Sequence, residues 1–131
     1  PAFIVRKLVK HCSLKGIQLD KAKVLILGCS FKEDCPDIRN SKVMTLYSHA
    51  SEWFSSVEIE DEVVAAEEVM RDYGFEINKT KDAIFDIVVL AVPHSYIIAK
   101  GVDSIKSRLC KDGVFFDMKS IFPAALSDLR L

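Results

Sequence analysis

The chain has 131 residues, of which 50% are hydrophobic, so it is long enough for one ordinary domain and too short for two. Its 18 basic and 19 acidic residues are mixed along the sequence and give a net charge of −1, which excludes the electrostatic footprint of a nucleic-acid-binding protein. The apolar runs are far shorter than the roughly 20 residues that a membrane helix needs, and no signal-peptide pattern is present. We therefore expect a soluble, cytoplasmic protein that binds neither nucleic acid nor membranes.

The hydrophobic pattern predicts helices and strands that alternate along the chain. Apolar residues recur at intervals of three and four from Phe3 to Cys12, which predicts a helix that ends near Gly16. Ser41 is placed to cap a second helix. The other predicted elements are strands at 23–27, 57–60, 75–77, 86–92 and 114–116 and helices at 63–73, 79–85 and 102–109.

This alternation predicts an α/β, Rossmann-like three-layer domain with a mostly parallel sheet. In such sheets, ligands bind beyond the carboxyl ends of the strands. Those ends are expected at Gly28, Asp61, His94 and residues 117–119. The residues that follow these strands are therefore expected to meet at one edge of the sheet.

The segment 24–41 carries the strongest functional signal, because a buried strand leads into a charged loop and then into the capped helix. A dinucleotide-binding loop needs the pattern G-x-G-x-x-G, yet only Gly28 is present here. An anion bound at this loop would have to draw much of its neutralising charge from Lys32 and Arg39. The residues alone leave Lys32 open as a ligand contact or a solvated surface lysine.

Several other polar residues admit two interpretations. Arg39 can pair with Asp37 and hold the loop, which we favour over a ligand contact. His94 is placed as a possible general base, but a loop histidine that hydrogen-bonds the backbone is favoured. Asp61 ends the second strand, where a dinucleotide domain places an acid on a ribose hydroxyl. Four cysteines, without C-x-x-C spacing, are expected to be reduced thiols and not metal ligands: Cys12, Cys29, Cys35 and Cys110.

Three motifs together resemble the C-terminal domain of UDP-glucose/GDP-mannose dehydrogenases. The first is Gly28-x-x-Phe31-Lys32-Glu33-x-Cys35-Pro36-Asp37-Ile38-Arg39-Asn40-x-Lys42-Val43. Its Cys-Pro-Asp-Ile-Arg-Asn portion is similar to UDP-N-acetylhexosamine 6-dehydrogenases of capsule and O-antigen synthesis. The other two motifs are Leu90-Ala91-Val92-x-His94 and Phe116-Asp117-x-Lys119-x-Ile121-Phe122.

The resemblance implies roles for individual residues. Lys32, Phe31, Lys119 and Asp61 are the expected substrate-binding residues, although Asp61 stands in Glu-Asp-Glu where the family has Tyr-Asp-Pro. The family's catalytic cysteine lies outside the present sequence, so no catalytic residue is expected here. Structural support of the loops is expected from Arg39, Asp37 and Asp117.

For the whole protein, the resemblance implies that residues 1–20 are the end of a connecting helix and lead-in, and that residues 21–131 form the UDP-sugar-binding domain. NAD would be bound by an N-terminal domain absent from this fragment, which would be inactive alone. The parent enzyme, a homo-oligomer by resemblance, would oxidise the sugar C6 alcohol in two hydride transfers through a cysteine thiohemiacetal and thioester. The alternatives are a stand-alone Rossmann-like nucleotide- or protein-binding module and a degenerate domain for oligomerisation.

Overall fold

The computed structural model describes residues 1–131 and contains one sheet of five parallel strands in the order β2-β1-β3-β4-β5. Helices cover both faces of this sheet, so the predicted α/β, Rossmann-like three-layer fold is confirmed. None of the helices combines the length and apolar character needed to cross a bilayer. In chain order the elements are α1 (Ala2–Lys15), β1 (Lys23–Leu27), α2 (Lys42–Ser51), β2 (Ser56–Glu60), α3 (Ala66–Tyr73), β3 (Phe85–Leu90), α4 (Ser95–Lys106), β4 (Leu109–Asp117) and β5 (Leu129–Arg130).

The strands β1 and β3 occupy the centre of the sheet because their side chains are apolar on both faces. In β3, every residue from Ile87 to Leu90 is at most 2% exposed. The strand lies between β1 and β4, as the sequence predicted for its most apolar strand. The carboxyl ends of three neighbouring strands, β1, β3 and β4, are thereby placed side by side.

Two apolar cores fill the space between the sheet and its helices. The larger core lies under α1, α2 and α3, and the smaller one lies under α4. Helix α1 contributes Val5, Leu8 and Cys12 to the larger core and ends at Gly16, which has φ 87° as a left-handed C-cap. The assignment of this helix to a connecting segment stays a prediction, but its apolar face is part of the domain.

Two predicted elements between α3 and β3 are wrong. Residues 75–77 form no strand and residues 79–84 form no helix. Ile77 is buried and the Phe75 ring stacks on Tyr47 at 4.3 Å between centroids, so these side chains anchor a loop. The following segment is held by Arg108, whose guanidinium donates to the carbonyl oxygens of Thr80 and Ala83.

The carboxyl-terminal half also differs from the prediction. Helix α4 begins at Ser95, whereas the sequence predicted a helix from Val102. The helix extends across Gly101, where φ is 82° and the chain is kinked. Strand β4 begins at Leu109 and carries an irregular register before Val114. The two-residue strand β5 was not predicted at all and pairs with the end of β4.

Candidate functional site

A cavity of about 370 Å³ lies at the carboxyl edge of the sheet. This volume is within the range of ordinary small-molecule sites, roughly 300 to 1,000 Å³. Its wall is formed by the loop after β1, by the ends of β3 and β4, and by the first turns of α1 and α2. Three of the predicted binding residues line it together: Phe31, Lys32 and Lys119.

Positive charge predominates in this cavity. Lys32, Lys42 and Lys119 line it, whereas Glu33 is the only acidic side chain among the lining residues. None of these three ammonium groups forms a salt bridge or a hydrogen bond within the protein. Lys42 is also the first residue of α2, where the helix dipole favours a nearby anion. The cavity is therefore suited to a ligand with more than one negative charge.

The same cavity has an apolar side. Half of its 16 lining residues are hydrophobic. Phe31 keeps 59% of its surface exposed, although the residues directly beside it, Ser30 and Lys32, are polar. An exposed aromatic ring beside cationic groups can pack against a flat, uncharged part of a ligand while the lysines neutralise an anionic part.

Internal hydrogen bonds shape the loop that carries Phe31 and Lys32. The Ser30 hydroxyl donates to the Lys32 carbonyl at 2.8 Å, and the Cys35 N–H donates to the same oxygen at 3.3 Å. The Phe31 N–H donates to the Asp37 carbonyl at 2.7 Å, which closes the loop. These bonds leave the Lys32 side chain free while its backbone is held.

Arg39 and Asp37 form a two-pronged ion pair at the far side of this loop. The guanidinium Nε and Nη2 atoms each donate to the carboxylate at 3.0 Å, and the Arg39 N–H donates to it at 2.9 Å. These bonds hold the pKa of Asp37 below its usual value. The Arg39 side chain is 83% exposed and is not among the residues that line the cavity.

The Asp61 carboxylate is fully buried and lies outside the cavity. It accepts the N–H groups of Cys29, Val63 and Val64 at 2.7 to 3.1 Å. Its Oδ2 atom is also 2.8 Å from the Nε2 atom of His94. Asp61 thus joins the end of β2 to the base of the loop after β1, with no oxygen directed at the cavity.

His94 lies between this carboxylate and the loop. Its ring is fully buried, and its Nδ1 atom accepts the Asp34 N–H at 2.8 Å. The arrangement of Ser30, His94 and Asp61 superficially resembles a catalytic triad. In a triad, however, the hydroxyl and the carboxylate meet opposite ring nitrogens, whereas here both meet Nε2. This group is therefore not arranged for nucleophilic catalysis.

The environments of the two buried cysteines, Cys12 and Cys29, also oppose nucleophilic chemistry. Burial, reinforced by the Asp61 carboxylate, raises the pKa of the Cys29 thiol far above its usual value. Burial raises the pKa of Cys12 to about 11. Both thiols are therefore protonated at neutral pH, and a protonated thiol is a poor nucleophile.

Asp117 holds the turn that follows β4. Its buried carboxylate accepts the N–H groups of Ile121 at 3.1 Å and of Phe122 at 2.9 Å. The turn places Met118 and Lys119 against the cavity. The position of the Lys119 backbone is therefore set by Asp117, two residues earlier in the chain.

The loop after β1 does not fit the pyrophosphate of NAD. A cradle of that kind uses glycines so that backbone N–H groups can approach the phosphates. Here the space beside Gly28 is filled by Val92, because a Cβ atom added at Gly28 would lie 2.6 Å from the Val92 Cβ atom. Gly28 allows the segments that follow β1 and β3 to approach closely, and we assign it no role in cofactor binding.

A second, larger cavity of about 550 Å³ lies against α4, on the other face of the sheet. Its lining includes three acidic and three basic side chains, so their charges balance. One of the basic groups, Arg108, is paired with Glu60 at 2.9 Å. This cavity is less suited to a polyanion than the cavity at the sheet edge.

Sequence reasoning missed two features of the site. Lys42 belongs to the first motif, but a lysine in the first turn of a helix is normally solvated, so the sequence does not distinguish it from a surface lysine. The contact between His94 and Asp61 joins residues that are 33 positions apart. In the sequence, the only indication of this contact is that both residues follow predicted strands.

Comparisons with known proteins agree with this geometry. The profile of the "UDP-glucose/GDP-mannose dehydrogenase family, UDP binding domain" matches residues 25–124. The chain is 35% identical to a UDP-N-acetyl-D-glucosamine 6-dehydrogenase of Salmonella typhi over 98% of its own length and 31% of that protein. It is also 35% identical to the Pseudomonas aeruginosa protein of that name, over 99% of the chain and 31% of the relative. The chain thus spans about a third of these relatives.

A solved structure supports the fold. The UDP-D-ManNAc dehydrogenase from Pyrococcus horikoshii superposes with a TM-score of 0.74 and 19% sequence identity, over 95% of this chain and 28% of that one. At this identity the match bears on the fold alone. The matched family profile covers most of the sequence and includes the loop, the strand ends and most of the residues that line the cavity. The chain therefore belongs to the UDP-glucose/GDP-mannose dehydrogenase family, and residues 25–124 correspond to its UDP-binding domain.

Proposed function

We propose that this chain is the UDP-sugar-binding part of an NAD-dependent nucleotide-sugar 6-dehydrogenase. The observation that carries the proposal is the cavity at the sheet edge, which is lined by three lysines without protein partners and by one acidic side chain. The substrate is a UDP-N-acetylhexosamine, whose C6 alcohol the complete enzyme oxidises to a uronic acid. The 35% identity to two UDP-N-acetyl-D-glucosamine 6-dehydrogenases supports this choice of substrate class.

In this proposal the binding residues divide by chemistry. Lys32 and Lys119 neutralise the diphosphate, and Lys42 adds charge at the start of α2. Phe31 packs its exposed ring against an uncharged part of the nucleotide sugar. Asp61, which the sequence suggested as a ligand contact, instead supports the loop from within the protein.

The remaining parts of the reaction belong to other segments of the enzyme. The loop after β1 does not fit a dinucleotide, and the buried thiols of Cys12 and Cys29 are not activated. On the family resemblance, NAD is assigned to an N-terminal domain of the same protein, and the reactive cysteine to a part of the enzyme outside these residues. When bound there, NAD would accept the hydride, and this chain would hold the UDP part of the substrate. Alone, the 131-residue chain would be inactive.

Replacing Lys32 with alanine tests the proposal. In the full-length enzyme, Lys32→Ala should weaken UDP-sugar binding by about tenfold to a hundredfold, or by about 1.4 to 2.8 kcal/mol. The melting temperature should be nearly unchanged because the ammonium has no partner in the protein. Affinity is measured by calorimetric titration with UDP, and stability by thermal unfolding.

Lys100→Ala is the matched control, because Lys100 is an exposed lysine of the larger cavity. We expect wild-type affinity for this variant. Wild-type binding by Lys32→Ala, or an equal loss in both variants, would contradict the proposed site. Arg39→Ala should differ from Lys32→Ala, since loss of the pair with Asp37 loosens the loop and should lower affinity and melting temperature together.

A further inference from the structure

We propose that His94 is a positioning residue for the UDP-sugar site: its imidazole, fixed by Asp61, holds the turn that carries Lys32. The inference rests on the proposed function in one respect, namely that Lys32 contacts the nucleotide sugar. His94 itself is fully buried and does not line the cavity. It therefore acts through the loop and not on the ligand.

The hydrogen bonds of His94 define its tautomer. A backbone N–H is only a donor, so the Nδ1 atom that receives the Asp34 N–H at 2.8 Å carries no proton. The proton of the neutral ring is then on Nε2, which donates to the Asp61 carboxylate at 2.8 Å. The buried carboxylate thus orients the ring so that its free lone pair faces the loop.

The group that His94 holds lies in the turn of Lys32. Asp34 follows Lys32 by two residues and has φ 60°, a conformation that a non-glycine residue adopts at a cost unless its surroundings support it. Its N–H is bonded to His94, and its carboxylate accepts the N–H of Ser95 at 2.8 Å and the Ser95 hydroxyl. Asp34 thus donates one hydrogen bond to His94 and accepts two from Ser95, the first residue of α4.

Asp61 extends this link to the base of the loop. The same carboxylate oxygen that faces His94 accepts the Cys29 N–H at 2.8 Å. One imidazole–carboxylate pair thereby connects the residue where the loop leaves β1 with the turn near its tip. Removal of the Nδ1 acceptor would leave the Asp34 N–H without its partner, and the turn would no longer present Lys32 in one position.

Two substitutions separate this role from simple packing. In His94→Asn, the side-chain oxygen lies near the former Nδ1 position and can accept the Asp34 N–H, but the donor to Asp61 is lost. In His94→Gln, the amide nitrogen reaches the former Nε2 position and can donate to Asp61, but the acceptor for Asp34 is lost. Each variant therefore keeps one of the two hydrogen bonds.

The variants are compared in the full-length enzyme, with UDP as the ligand and Lys32→Ala as the reference. We expect His94→Gln to weaken UDP binding about 3- to 10-fold, the effect of one lost hydrogen bond, with a melting temperature near that of the wild type. We expect His94→Asn to keep wild-type affinity and to melt at a lower temperature. Amide hydrogen exchange at Asp34 should be faster in His94→Gln only.

Each result bears on a different claim. Equal exchange at Asp34 in both variants, or equal loss of affinity and stability in both, would overturn the positioning role and leave His94 as a core residue. Wild-type affinity of His94→Gln with weak binding by Lys32→Ala would also overturn it, while the proposed function would stand. Wild-type binding by Lys32→Ala would overturn the proposed function, and the exchange rate at Asp34 would still decide whether His94 holds the turn.

Discussion

Val89→Asp is expected to unfold the domain. Val89 is 2% exposed in β3, where it pairs with Ile26 on one side and Phe116 on the other. A carboxylate at this position would enter the larger apolar core without a cation or a donor near it. Burial of an unpaired charged group is among the most destabilising changes, and we expect a loss of more than about 4 kcal/mol, a large part of the stability of an ordinary domain.

Val89→Ala is the control for lost volume. It removes apolar contacts from the same site without adding charge, so we expect a loss of about 1 to 3 kcal/mol and a folded protein. Circular dichroism and chemical unfolding of both variants provide the measurement. A folded Val89→Asp protein with near-normal stability would mean that β3 is not a central, buried strand.

Gly28→Ala is expected to cause the second large loss, in stability and in ligand binding together. Gly28 has φ 88°, and an added Cβ atom would lie 2.5 Å from the Val92 carbonyl oxygen and 2.6 Å from the Val92 Cβ atom. The neighbouring carbonyl of Leu27 already binds the N–H groups of Ala91 and Val92, so the two strand ends cannot separate without breaking these bonds. We expect the free energy of unfolding to fall by about 3 kcal/mol or more.

Gly16→Ala isolates the conformational part of this cost. Gly16 has φ 87°, almost the same as Gly28, but no atom lies within 4 Å of its hypothetical Cβ position. Gly16→Ala should lower the free energy of unfolding by only about 1 to 2 kcal/mol, because the left-handed conformation is unfavourable for alanine. Equal melting temperatures for the two variants would show that the close contact between β1 and β3 is unimportant.

The sequence predicts the parts of the fold in which local pattern and burial agree. The continuous apolar runs of β1 and β3 can only be buried on both faces, so their central position follows from composition. The prediction that strand ends meet at one edge also placed Phe31, Lys32 and Lys119 together. The topology of the sheet brings Lys119 close to Phe31 and Lys32, although Lys119 lies far from them in the chain.

The errors arise where tertiary contacts override the local pattern. Gly101 indicates a helix boundary, yet α4 continues through it as a kink. The sequence Lys111-Asp112-Gly113 is typical of a turn, and Asp112 does have φ 64°, but β4 accommodates this as an irregularity within the strand. Near Thr80, a distant arginine organises the loop, and no local signal reveals it.

The site itself was predicted only in part, for a similar reason. An aspartate after a strand can face a ligand or turn inward, and the sequence does not distinguish these positions. At Asp61 the inward position is favoured because three N–H groups and the His94 ring are available to one buried carboxylate. The partners belong to three different strand-end segments, so their convergence becomes visible only in the folded chain.

Lysine labelling in the full-length enzyme tests the central claim most directly. Surface lysines are acylated with and without saturating UDP, and the modified peptides are quantified by mass spectrometry. We expect UDP to protect Lys32 and Lys119, which line the cavity at the sheet edge, and to leave Lys81 and Lys100 of the larger cavity unchanged. Protection of Lys81 and Lys100 with unchanged labelling of Lys32 and Lys119 would contradict the proposed binding site.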